Sequence, residues 1–210
     1  MLKRLWPLPD GQHADLNYFV NWRSWLWARP VADALAFLGD LRGKRLLEIG
    51  GSDARMTSLF ALLGARVTMM DKHPSPQAET EIRKWKVEDR VRRVATAGGF
   101  DEIAGERFDA IFTKSVLWCI EYLAEFLDQI EVHLADGGKV AFVENYRGGR
   151  LHFWFRRNFV HRGDFGWEEN YRGITPEQID LFRDRFADLR ARRYLTFVYG
   201  ILGHKKRSEQ

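Results

Sequence analysis

The chain has 210 residues and a single cysteine, Cys119, which excludes an internal disulfide framework and suits a reducing, cytoplasmic setting. Its 33 basic and 29 acidic side chains leave a formal charge of only +4, so a polyanionic partner is implied only where that excess is local. The length suits one domain with ample core. No stretch reaches the roughly 20 apolar residues of a spanning helix, and no long apolar run follows the charges of Met1–Pro7, so neither a membrane span nor a signal peptide is expected.

Residues 1–12 read as an irregular arm, because Pro7, Pro9 and Gly11 oppose regular structure. Asp15 to Phe37 reads as one or two helices, with Tyr18, Trp22, Trp25 and Arg29 at helical spacing and a break at Pro30. These aromatics either pack the segment onto a sheet or form a lid over a site. Leu46 to Asp71 then reads as strand, tight turn, helix, turn, strand and terminal acid. Gly50 and Gly51 let the backbone turn sharply and approach a ligand. Ser52 or Asp53 is the expected helix cap, and Met56, Leu59, Phe60 and Leu63 make one apolar helical face. Gly64 suits the residue after the helix, and Val67 to Met70 reads as a buried parallel strand. Asp71 stands at that strand's carboxyl end, about 20 residues past the glycine turn, where an acid in an open α/β sheet takes ribose hydroxyls.

Farther along, Ser75 and Pro76 open a helix, Val91–Ala95 reads as a third strand and Phe108–Lys114 as a fourth. Cys119 reads as a small buried hydrophobe. Leu123, Phe126, Leu127, Ile130 and Leu134 line an amphipathic helix ended by Asp136-Gly137-Gly138, and Lys139–Val143 is a fifth strand. Glu144-Asn145-Tyr146 then leaves the sheet on the ligand side. The thirty residues that follow interleave Arg147, Arg150, Arg156, Arg157 and Arg162 with Phe153, Trp154, Phe155 and Phe159. A long insertion in a compact domain is often a functional lid. This one reads as an anion-binding arm, a membrane-surface helix, a nucleic-acid platform or an ordinary helix with solvated arginines. Thr175-Pro176-Glu177-Gln178 is a capping box, with Ile179, Phe182, Phe186 and Leu189 on one face of its helix. Arg190 to Leu202 supplies the last strand or strands, and Lys205-Lys206-Arg207 a solvated tail.

The run Glu48-Ile49-Gly50-Gly51-Ser52-Asp53-Ala54, followed by Asp71, resembles the cofactor site of class I S-adenosylmethionine-dependent methyltransferases. That family shows an acid-x-Gly-x-Gly-x-Gly turn; the later glycine positions here hold Ser52 and Ala54. A dinucleotide fingerprint fits less well, because its second and third glycines would be Ser52 and the bulky Arg55. The order of landmarks from Leu46 to Glu144 is also similar to the family's. The resemblance implies an α/β, Rossmann-like fold: a mostly parallel sheet with helices on both faces. It implies one domain divided into an N-terminal helical cap (1–40), a cofactor-binding core (41–144), a substrate-side insertion (145–174) and a C-terminal helix and strand (175–210). It implies S-adenosylmethionine as cofactor, with S-adenosylhomocysteine as product, held by Glu48, Gly50, Gly51, Ser52, Asp71, Lys72, Lys114 and Ser115. The substrate side is expected to draw on Tyr18, Trp22, Trp118, Asn145, Arg156 and Arg157. His161, His152 and Glu144 are the candidate general bases, and no metal-ligand cluster stands out. The expected reaction is methylation of an oxygen on a small-molecule, glycan or lipid-linked acceptor, with peripheral membrane contact left open. An RNA methyltransferase and a non-catalytic relic of the fold are the alternatives.

Overall fold

The structure, a computed structural model, describes residues 4–21, 24–73, 75–148, 150–160, 173–195 and 197–206. At its centre β3 (Arg45–Ile49) pairs in parallel with β4 (Arg66–Asp71) on one side and β6 (Phe108–Lys114) on the other. β5 (Val91–Ala95) extends the sheet beyond β4, and β7 (Leu134–Asn145) extends it beyond β6. A C-terminal hairpin of β8 (Phe186–Tyr194) and β9 (Val198–Lys205) completes the other edge, with β9 antiparallel to β7. The order among the described residues is β5-β4-β3-β6-β7-β9-β8.

Alternation along the strands feeds two cores. Leu46, Phe112 and Ala141 face a cluster built with α2 (Ser24–Leu38) and α3 (Arg55–Leu62). Leu47, Ile111 and Phe142 face a second cluster built with α5 (Leu123–His133) and α7 (Ile179–Arg183). Central parallel strands buried on both faces read as continuous apolar runs, as Leu46-Leu47 and Ala110-Ile111-Phe112 do. Among the described residues no helix is long and apolar enough to cross a membrane.

The N-terminal region departs from expectation. The arm contains a small hairpin, β1 (Leu5–Pro7) with β2 (His13–Asp15), in which Pro7 occupies an end position and so breaks no ladder. The helical region is two helices, α1 (Leu16–Val20) and α2, but Pro30 lies inside α2. The break comes at Asn21, whose φ of 60° leaves helical space; Pro30 forfeits one helical bond within a well-buried face. Lys139 closes the other end of α2, its Nζ donating to the carbonyls of Phe37 at 2.9 Å and Leu38 at 3.1 Å.

The C-terminal half differs in three places. β7 begins at Leu134, directly after α5, so Asp136-Gly137-Gly138 is part of an irregular strand start rather than the helix end. The Thr175 box forms only its reciprocal half, Gln178 Oε1 accepting from Thr175 N–H at 3.0 Å, and α7 stops at Arg183. Phe186 and Leu189 therefore belong to β8, which gives the final hairpin two full strands. Lys205 is not a solvated tail, since its Nζ donates to the Leu134 carbonyl at 2.6 Å.

α3 ends as its sequence predicts. Ala65 N–H donates to Phe60 O at 3.1 Å and Gly64 N–H to Ala61 O at 3.0 Å, a Schellman closure that needs Gly64 at φ +94°. A Cβ there would lie 3.1 Å from the Arg42 Cα. Gly64→Ala should therefore cost about 1–2 kcal/mol in chemical denaturation, with no change in ligand affinity because the turn lies at the opposite end of α3 from the site; no loss of stability would contradict the assigned closure.

Candidate active site

The chain winds outward from β3 through β4 to β5, then returns to place β6 on the other flank of β3. The crevice outside the carboxyl ends of β3 and β6 is thus the switch point where open α/β sheets bind ligands. The turn leaving β3 is tightly built. Gly50 N–H donates to Met70 O at 2.8 Å, and Gly50 has φ +77°. A Cβ on Gly50 would fall 2.4 Å from Val116 Cγ2, and one on Gly51 would fall 2.5 Å from Met69 Cγ. Ser52 and Ala54, at the two positions where the resembled motif has glycine, also take positive φ, 45° and 61°. Ala54 rather than Ser52 or Asp53 precedes the first helical residue of α3, because that left-handed step brings the chain into the helix; Asp53 Oδ1 instead accepts from Arg55 N–H at 3.3 Å.

Asp71 is held against this turn. Its Oδ2 accepts from Ser52 N–H at 2.8 Å and its Oδ1 from His73 N–H at 2.7 Å. Ser75 N–H donates to Ser52 O at 3.1 Å, so the loops after β3 and β4 are stitched together. Lys72 lies exposed beside them.

Two buried carboxyls and the half-buried Lys114 meet at the switch point. Glu48 is buried and accepts from Thr57 Oγ1 of α3. Glu144 is fully buried; its Oε1 accepts from Thr113 Oγ1 at 2.6 Å, and its Oε2 from the N–H groups of Val116 at 2.8 Å and Leu117 at 2.9 Å. Burial pushes both carboxyls up from 4.5 to about 7, against the lowering influence of these hydrogen bonds and of Lys114. Burial also lowers Lys114 from its ordinary value, opposed by Glu48, Asp53 and Glu144, and its ammonium lies 5.5 Å from the centroid of the Trp27 ring. A cleft of about 160 Å³ opens here, lined by Glu48, Gly50, Ser52, Asp53 and Lys114, with Phe19–Asn21 of the N-terminal cap over it. Of the residues expected to hold the cofactor, Glu48, Gly50, Gly51, Ser52 and Lys114 line this cleft, Asp71 is bonded to Ser52, and Ser115 follows Lys114 at φ 58°.

The other predicted residues are placed as follows. Asn145 Nδ2 donates to Ser115 Oγ at 2.8 Å, and Trp118 Nε1 donates to Ser115 O at 2.8 Å, so both fix the turn after β6. Glu144 also holds that turn: with its oxygens bound to Thr113, Val116 and Leu117 inside the protein, it is no surface base. His152 lies on α6 (Arg150–Phe155) and stacks edge-on with Tyr146 at 5.1 Å. Its Nδ1 accepts from Gly148 N–H at 3.2 Å, which places the proton of the neutral ring on Nε2. Arg157 is exposed in the π-helical turn that continues α6 through Val160. The Tyr18 hydroxyl bonds Glu81 at 2.7 Å, tying the cap to α4 (Gln77–Lys84) rather than facing the cleft. Trp22, His161 and the side chain of Arg156 lie outside the described residues. Cys119 is exposed, not buried, with its thiol donating to Val116 O at 2.9 Å.

Sequence reading missed Thr57, Thr113 and Asn21. The first two are polar residues set in apolar faces, a local sign of a buried partner that only the fold identifies as Glu48 and Glu144. Asn21 Nδ2 donates to Asp53 Oδ2 at 3.0 Å, joining the cap to the cofactor turn, and nothing in the sequence signals it.

The comparisons agree with this architecture. Residues 19–168, well over half of the chain, match the family model described as a methyltransferase domain. The chain belongs to that methyltransferase-domain family, and its fold is the Rossmann-like one of class I enzymes. No curated protein matches it in sequence. Among solved structures, an O-methyltransferase family protein from Burkholderia thailandensis superposes with a TM-score of 0.66 at 13% identity, over 87% of this chain and 57% of that one. The chain thus spans little more than half of that protein. The YcgJ protein of Bacillus subtilis gives a TM-score of 0.69 at 11% identity, over 86% of this chain and all of the other. The 1,6-didemethyltoxoflavin-N1-methyltransferase of B. thailandensis, solved with 1,6-didemethyltoxoflavin and S-adenosylhomocysteine, gives 0.63 at 20% identity, over 91% and 84% of the two chains.

The raised carboxyls fix a sign for pH dependence. The folded state holds these protons more tightly than the unfolded chain, so their stabilisation is full below 4.5 and is lost as pH rises to about 7. Each group contributes up to about 1.4 kcal/mol per pH unit in that window. Glu144→Gln should flatten this part of the stability profile in denaturant titrations; a slope equal to that of the unaltered protein would show that the carboxyl is ionised throughout.

Proposed function

We propose that the chain carries out S-adenosylmethionine-dependent methyl transfer to an oxygen of an acidic small-molecule, glycan or lipid-linked acceptor. One observation carries the reading: Glu48, Lys114, the Gly50–Ser52 turn and Asp71 converge on the switch-point crevice of a methyltransferase-domain chain. This donor set suits the cofactor. The Lys114 amine and the Glu48 carboxyl are of the chemistry that would meet the carboxylate and ammonium of an amino-acid end. Each Asp71 oxygen spends one acceptor site on a backbone N–H and keeps capacity for a ribose hydroxyl. The toxoflavin-precursor enzyme, solved with S-adenosylhomocysteine, supports the same choice.

The cofactor supplies an electrophilic methyl group on a sulfonium sulfur. The chain's residues bind it, orient the acceptor oxygen and exclude water, and such positioning is a large share of catalysis. Glu144 is taken up by the turn after β6, and His152 Nδ1 accepts a hydrogen bond from the Gly148 N–H. Both placements favour an acceptor oxygen acidic enough to be ionised already, with exposed arginines such as Arg157 drawing it in.

Calorimetric titration with S-adenosylmethionine and S-adenosylhomocysteine should show binding, with none for NADH. Asp71→Ala should weaken binding at least about tenfold, the scale of a lost hydrogen bond to a charged group, while unfolding stays cooperative. Unchanged affinity would refute the assigned ribose contact. With a labelled methyl donor, the product should carry the methyl on oxygen; an N- or C-methyl product would refute the acceptor reading.

A further inference from the structure

Large apolar side chains are exposed on the segment that follows β7. Trp154, Phe155 and Phe159 are 54%, 40% and 60% exposed, and all three fall within six residues of α6 and its π-helical continuation. They form one patch. Phe159 stacks on Phe155 at 4.8 Å and meets Trp154 edge-on at 5.8 Å, while Phe155 stacks on Phe197 at 5.6 Å. Phe197 lies in the β8–β9 turn beside Leu195, which is 63% exposed. Burying such a surface is favourable, and a contiguous exposed apolar patch marks an interaction site.

The charge around the patch selects its occupant. From Tyr146 to Gly163 the sequence holds Arg147, Arg150, Arg156, Arg157 and Arg162 and no acid. β8 adds exposed Arg190, Arg192 and Arg193 along the neighbouring sheet edge. Aromatic residues beside a cationic band match the interface of an anionic bilayer, where rings enter the headgroup boundary and arginines meet the lipid phosphates. Single-stranded nucleic acid fits less well. Base stacking needs open ring faces, and the Phe155 ring lies between Phe159 and Phe197, at interplanar angles of 22° and 29°.

We propose that the aromatic patch of Trp154, Phe155 and Phe159 docks on an anionic lipid surface, on the side of the sheet where the strands β3, β6 and β7 end. The helix that carries the patch begins at Arg150, shortly after the carboxyl end of β7, and the Tyr146 ring contacts His152 on that helix. Docking there favours an acceptor carried in or on the membrane; that consequence rests on the methyl-transfer reading above, whereas docking does not.

The test is co-sedimentation of the full chain with phosphatidylcholine vesicles, with and without phosphatidylglycerol. The protein should sediment with the mixed vesicles, much less with phosphatidylcholine alone, and less as salt rises. The W154S/F159S double variant should lose vesicle affinity at least about tenfold while keeping its affinity for S-adenosylmethionine, and W154F should bind nearly as the parent. Val132→Ser, which removes an exposed apolar side chain from α5, should bind vesicles unchanged. Absence of sedimentation, or equal sedimentation by the double variant, overturns the proposal. So does a mixed-sequence RNA oligonucleotide, or a concentration-dependent dimer, that uses the same side chains in place of vesicles. Vesicle binding without cofactor binding would overturn the methyl-transfer reading and leave docking intact.

Discussion

Burying Glu48 and Glu144 beside the half-buried Lys114, where β3, β6 and β7 end, is the constraint on which the rest of the site depends. Ion burial costs several kcal/mol per group unless each is met by partners. Here the partners come from every neighbouring element: Thr57 from α3, Thr113 from β6, the N–H groups of Val116 and Leu117, and the Trp27 ring from α2. Burial raises both acids and lowers the base, and the field between them opposes each shift without cancelling it. The arrangement locks the turn after β6, because Glu144 cannot keep its bonds if that turn moves. The same turn carries Val116, whose methyl group occupies the space a Cβ on Gly50 would need. The glycine turn after β3 and the turn after β6 are thus fitted to one another.

The cofactor turn holds a second constraint. The positions equivalent to the later glycines keep glycine-like backbone in Ser52 and Ala54. A left-handed conformation costs an ordinary residue on the order of 1–2 kcal/mol. That cost is offset by the bonds which over-determine the loop: Asp71 to Ser52, Ser75 to Ser52, and Asn21 to Asp53. Strain held in this way concentrates at functional sites. The turn thus takes glycine-like backbone at two positions that are not glycine.

The two ends of the chain frame the site differently. The N-terminal cap is bound down by Tyr18 on Glu81 and by the Arg55 guanidinium 4.6 Å above the Tyr18 ring; Phe19 and Trp27 are buried in packing, and among the described residues of the cap Phe19–Asn21 cover the cleft. After β7, Trp154, Phe155 and Phe159 lie outside. One aromatic-rich stretch completes a core, and the other offers a surface.

The sequence by itself determined the central unit: strand, glycine turn, helix closed at Gly64, strand and Asp71. Each of those signals is local, carried by apolar periodicity, a positive-φ glycine or an acid at a strand end. It also determined the order of elements from Leu46 to Glu144, since buried parallel strands announce themselves as apolar runs. Only the tertiary structure decided what Glu144 does, because its partners lie about thirty residues away and a glutamate at a strand end reads equally as a base or a clamp. It alone placed Phe186 and Leu189 in a strand, where pairing with β9 outweighed a helical spacing of apolar residues. It alone kept Pro30 within a helix, where packing against the core outweighed one lost hydrogen bond, and it alone separated the tryptophans that pack from those that face solvent. Local chemistry specifies turns and strands; which polar group meets which, and which apolar face is covered, depends on residues that only folding brings together.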